Sequence, residues 1–145
     1  MLTIVLFLHS IVRWAVLLAA AWATMAAVKG GGSGRSWTRR ARVPGVVLAA
    51  VVDLQLILGL TLWLALSPYA ITAGARSHYW SYAHPLAGIA VVVLVHVGSV
   101  LVRRKLDDVS RWRTSARFYG AALAVALVAV PWPFLGSAGR GLLPF

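Results

Sequence analysis

The sequence predicts an all-α membrane protein, a bundle of four transmembrane helices with both termini on the outer, periplasmic side. Three observations carry that reading. First, 61% of the 145 residues are hydrophobic and only 12% are charged, far from the soluble average. Second, the apolar residues gather into four runs, 3–28, 43–66, 82–102 and 118–134, each close to the roughly 20 residues that a helix needs to cross the hydrocarbon core. Third, five of the fourteen Lys and Arg lie in residues 29–42 and six more in residues 103–117. Both basic segments fall between apolar runs. Cytoplasmic loops carry the Lys and Arg excess, so both segments are expected in the cytoplasm, with the chain crossing the membrane several times.

Composition also excludes several classes. A net charge of +11 would suggest nucleic acid in a soluble chain. Here the charge flanks spans, where it sets orientation and attracts anionic lipid headgroups, and no soluble module remains to bind nucleic acid. The chain has no cysteine, which removes disulfides, thiolate metal sites and iron–sulfur clusters and leaves His and carboxylate as protein ligands. No basic residue precedes the first run, which is long and contains Arg13. It is therefore expected to stay as a span rather than to be cleaved as a signal peptide. No internal repeat is visible, so an inverted-repeat transporter has little support, and residues 1–145 read as one transmembrane domain.

The elements follow in order. The first span is expected to end at Lys29, because Gly30-Gly31-Gly32-Ser33-Gly34 is too flexible to continue a helix. Pro44 suits the first turn of the second span, and Ser67-Pro68 is expected to end it. In the outer loop, Tyr79, Trp80 and Tyr82 suit the headgroup layer, as do Trp63 and Trp132; Trp37, Trp112 and Tyr119 match them on the inner side. The third span opens at Tyr82-Ala83-His84-Pro85 and stops at Arg103-Arg104-Lys105. Residues 106–117 read as a short surface helix in which Asp107 and Arg111 pair across one turn. The last span closes on Pro131-Trp132-Pro133-Phe134. Small residues such as Ala19, Ala20, Ala23, Gly59, Gly88, Gly98 and Ala124 permit close helix approach.

Polar side chains within spans are costly and tend to face the bundle interior and mark function. His9 and His84 lie at similar depth near the outer ends of the first and third spans. Two imidazoles from different helices can hold a planar iron porphyrin, haem b, between them. Gly88, one turn below His84, would clear room for the ring. His78 in the outer loop is an alternative ligand, and Arg76 a candidate partner for a haem propionate. A boundary histidine also serves simply by hydrogen-bonding to water, headgroups or a loop. Deeper in the membrane, Arg13, Asp53, Gln55 and His96 form a candidate buried polar cluster, with Arg13 and Asp53 as an ion pair or all four as a proton-carrying or quinone-binding group.

Leu8-His9-Ser10-Ile11-Val12-Arg13-Trp14, the Leu58-Gly59-Leu60 run, His84 and the closing Pro131-Trp132-Pro133-Phe134 together resemble a family of small bacterial four-span proteins, some of them labelled cytochrome b. The resemblance implies haem binding or electron transfer, with His9 and His84 at matching positions. Where this chain has Asp53 the family tends to have histidine, so Asp53 would pair with His96 or Arg13 instead. The leading expectation is an integral-membrane b-type cytochrome that exchanges electrons with quinone or a partner complex. The alternative is a cofactor-free accessory subunit of a larger respiratory or photosynthetic complex. A proton or ion pathway through Asp53 and His96 is a third reading with less support.

Overall fold

The computed structural model describes residues 2–71 and 78–132. They form a helical bundle of α1 (Leu2–Gly32), α2 (Val43–Ile71), α3 (His84–Arg104) and α4 (Asp108–Ala129). A single 3₁₀ turn, Arg40–Arg42, leads into α2, and a π-helical turn, Tyr79–Ala83, leads into α3. Helices α1, α2 and α3 are long and apolar enough to cross a membrane. Helix α4 carries Asp108, Arg111, Arg113 and Arg117 in its first half, and its apolar remainder, residues 118–129, rises only about 18 Å.

Short connections force neighbouring helices to run antiparallel. The C-terminal ends of α1 and α3 and the N-terminal ends of α2 and α4 therefore share one end of the bundle, and both basic segments meet there. Helix α1 packs on α2 and α4, and α3 packs on α4 and less extensively on α2, so that α1 and α3 lie diagonally across the bundle. The core is built from small and β-branched residues: Ala19, Ala20 and Ala23 of α1, Leu48 and Val52 of α2, Val91 and Val95 of α3, and Ala122 and Ala126 of α4. Many larger apolar side chains point outward, including Leu18 at 71% exposure and Val128 at 79%. In water such a surface would aggregate; against lipid tails it costs nothing.

The structure departs from three local expectations. Helix α1 runs through Gly30-Gly31-Gly32 instead of stopping at Lys29. Gly30 and Gly31 form the seat for Trp112 of α4: a Cβ on Gly30 would lie 2.6 Å from the indole ring and one on Gly31 3.3 Å from the Trp112 Cβ. The helix ends at Gly32, and Gly34 just beyond it, with φ of +62°, permits the Arg35 amide to return to the Gly30 carbonyl, 3.3 Å away. Trp112 Nε1 then donates to the Arg35 carbonyl at 2.7 Å and ties this turn to α4.

Helix α2 continues through Ser67-Pro68 to Ile71. Pro68 has no amide for the Leu64 carbonyl and crowds it with its ring, but it stands in the last turn, where few bonds remain to be lost. Finally, the expected surface helix at 106–117 and the last span are one helix, which ends at Ala129 rather than at 134. Asp107 does not pair with Arg111. Its carboxylate caps α4 by accepting the Ser110 amide at 2.8 Å, and Arg111 takes Asp108 instead at 3.1 Å. The Ser110 amide, followed by its hydroxyl, holds the Asp107 carboxyl below its usual range. The cap is thus at full strength above about pH 4 and is lost as acidification passes the lowered value.

Gly30→Val must displace the Trp112 ring and is expected to cost about 1–3 kcal/mol. Gly32→Ala, with open space around its Cβ, is expected to be neutral or to gain about 0.5 kcal/mol. Thermal denaturation of both variants in one detergent checks the contrast; equal losses would mean that Gly30 is not a seat for Trp112.

Candidate functional site

The C-terminal end of α4 shows how a site is assembled at the end of the bundle opposite the basic segments. In a continuing helix the Ala129 carbonyl would accept the amide of residue 133, and the Leu127 carbonyl that of residue 131. Both residues are proline and have no amide to give. The two carbonyls take side-chain donors in their place. Trp132 Nε1 donates to Leu127 O at 2.8 Å. Ala129 O receives both the Tyr79 hydroxyl at 2.7 Å and His84 Nδ1 at 2.9 Å. Because a carbonyl only accepts, His84 carries a proton on Nδ1.

Tyr79 and His84 reach the same oxygen from one stretch of chain through the π-helical turn. Within it the His84 amide bonds the Tyr79 carbonyl, one residue further back than in an α-helix. Pro85 accounts for the widening, since its ring would press on the carbonyl four residues earlier in a tight helix. Tyr79, expected in the headgroup layer, thus turns its hydroxyl inward, with its ring 5.7 Å from that of His84.

His84 meets His9 across the bundle. Their ring centroids are 6.1 Å apart and the planes are inclined at 72°. His9 lies on α2 at Gly59, where a Cβ would come within 3.1 Å of its Cε1. Its Nε2 is 3.3 Å from Gln55 Nε2. His9 Nδ1 and Gln55 Oε1 are both buried without a hydrogen-bond partner. One turn below His9, the Arg13 guanidinium sits 5.3 Å from the centroid of the Trp14 ring, which makes an edge contact with Trp132 at 6.2 Å. A Cβ at Gly88 would find no atom within 4 Å, so space is open beside His84.

The expected cluster of four polar residues divides into two groups. Gln55 faces inward to His9, whereas Asp53 bonds His96 of α3, Oδ1 to Nε2 at 2.8 Å, with both side chains about half exposed. The partner of Asp53 is thus His96 and not Arg13. The cause is helical phase: two residues turn α2 by about 200°, so Asp53 and Gln55 face nearly opposite ways. His78 is exposed, with its ring 6.2 Å from that of Tyr82; Arg76 lies outside the described residues. Among the described residues no three His, Cys, Asp or Glu gather to hold a metal ion, so a metal at His9 and His84 would need further ligands from elsewhere.

Residue-type reasoning passed over Gln55 as a neighbour of His9, Gly59 as its seat, and Tyr79 and the Ala129 carbonyl as the frame of His84. The prolines at 131 and 133 were the available signal, since counting back four residues from each gives the orphaned carbonyls. In comparisons with known proteins, no family model, no curated protein and no solved structure matches the chain.

Removing one of the two donors to Ala129 O should weaken the frame without dismantling it. Tyr79→Phe is expected to lower stability by about 0.5–1.5 kcal/mol. In a double-mutant cycle its effect should differ once His84 is alanine, because the two groups share one acceptor; strict additivity in thermal melts would refute that coupling.

Proposed function

We propose that this chain is a four-span protein of the bacterial inner membrane that binds haem b between His9 and His84 and exchanges electrons with quinone or a partner complex. The apolar outer surface supports the membrane setting. The meeting of both basic segments at one end supports a cytoplasmic orientation for that end, next to anionic lipid, with both termini outside.

The observation that carries the cofactor reading is the His9 and His84 geometry. The two ring centroids come within 6.1 Å of each other from different helices, so both imidazoles would be at hand to hold the group. The residues fit the group in three further ways. His84 donates Nδ1–H to a backbone carbonyl, the arrangement that orients a ligating imidazole. His9 has a ring nitrogen that is buried and unsatisfied. Gly59, Gly88 and Ala129 line the surroundings with minimal side chains. When bound, the iron would take up and release single electrons. The protein's part would be to hold both rings, keep water out and place the group within reach of a partner; Arg76 is the candidate for a propionate.

The second reading is a cofactor-free accessory subunit of a respiratory or photosynthetic complex. It is favoured by one observation: His84 with Ala129 and His9 with Gln55 already join helices by themselves. On this reading the two histidines are fasteners.

The readings separate on a reduced-minus-oxidised visible spectrum with a pyridine haemochrome assay of protein expressed with ample haem. The expected result is a b-type signal near one haem per chain, lost in His84→Ala and His9→Ala and kept in His78→Ala. A colourless, folded protein would sink the cytochrome reading and leave the subunit.

A further inference from the structure

Asp53 and His96 occupy an unusual position for polar residues in a bundle with an apolar surface. They bridge the seam between α2 and α3, the less extensively packed pair of neighbours, with His96 49% and Asp53 47% exposed. Each stands within a row of outward apolar residues. On α2 the row includes Val46, Ile57 and Leu64, and on α3 it includes Ile89, Val93 and Val100. Asp53 is about ten residues, or roughly 15 Å, from the start of α2, which puts the pair near the middle of a hydrocarbon layer if the bundle spans one. At that depth no water is at hand to complete the hydrogen bonding of an ionisable pair.

The bond between Asp53 Oδ1 and His96 Nε2 uses one atom of each side chain. Asp53 Oδ2 remains as an acceptor and His96 Nδ1 as a ring nitrogen that donates when it carries a proton. In a pair of zero net charge, the form that lipid penalises least, the face presents an acceptor at Asp53 and a donor at His96 side by side. Such a face is complementary to itself. A second copy related by a two-fold axis through the seam would bring Asp53 Oδ2 of each chain against His96 Nδ1 of the other, and the flanking apolar rows would meet on either side.

We propose that the α2–α3 face, centred on Asp53 and His96, is a homodimer interface in which each chain completes the hydrogen bonding of the other's polar pair. The inference goes beyond the cofactor reading and does not depend on it, since the pair lies on the outside of the bundle and His9 and His84 lie within it.

The absence of cysteine from the chain makes the test direct. Single-cysteine variants Ile57→Cys and Val93→Cys place a thiol on the proposed interface. Leu18→Cys on α1 and Val128→Cys on α4 place one on outward faces elsewhere. Oxidation in native membranes is expected to give covalent dimers of the first two and not of the controls, and light scattering of the cysteine-free protein in mild detergent or nanodiscs should give twice the chain mass. Asp53→Ala and His96→Ala should each weaken the dimer roughly tenfold, as loss of interhelical hydrogen bonds at this depth implies. Asp53→Asn, which keeps a hydrogen-bonding side chain, should weaken it less. Thermal melts of the monomer distinguish lost association from lost folding.

Four outcomes would overturn the proposal. One is a monomer in nanodiscs with no cross-link at 57 or 93. Another is cross-linking as efficient at 18 as at 57. A third is capture of a different protein at 57 in place of a second copy. The last is a dimer whose strength ignores Asp53 and His96.

Discussion

Backbone carbonyls at the end of a helix must find donors, and in an apolar setting they must find them within the protein. That constraint organises the outer half of this bundle. Helix α4 runs into two prolines separated by one tryptophan, so two of its last carbonyls lose their expected amides. The tryptophan indole takes one. The other, Ala129 O, draws Tyr79 and His84 from α3 and its entry turn, and in doing so sets the tautomer and direction of the imidazole. His84 so held meets His9, and His9 rests against α2 only because residue 59 is glycine. A chain of contacts thus runs from the closing prolines through three helices to a pair of histidines.

The opposite end is joined by different chemistry. There the large residue is Trp112, buried against Gly30 and Gly31 near the end of α1, with its indole nitrogen on the Arg35 carbonyl. Glycine, which weakens an isolated helix, is favourable here because absent side chains make room for an indole. Between the two ends the helices approach through alanine and valine, so a small core suffices. With little side-chain volume inside, many larger apolar residues are left on the outside.

The polar residues follow the same geometric logic. Helical phase sends Gln55 inward and Asp53 outward although they are two positions apart, and sends His84 and His96 to different faces of α3. The interior receives His9 and Gln55, each with a buried atom that lacks a hydrogen-bond partner, and the exterior receives the bonded Asp53–His96 pair.

Much of the architecture was legible from the residues alone. Apolar run length located the helices, clustered arginine and lysine marked one end, and matched depth singled out His9 and His84, because these properties depend on composition along a single chain. Helix ends were less legible. Gly30 to Gly32, Pro68 and residues 106–117 each suggested a break, yet the helices continued, since a neighbouring Trp112 or the tolerance of a last turn outweighed local propensity. Tertiary structure alone decided which polar groups meet: His96 rather than Arg13 for Asp53, Gln55 for His9, and a backbone oxygen for His84. The physical reason is that hydrogen-bond partners are chosen by the rotation and depth of packed helices, which are set by contacts between residues far apart in the chain.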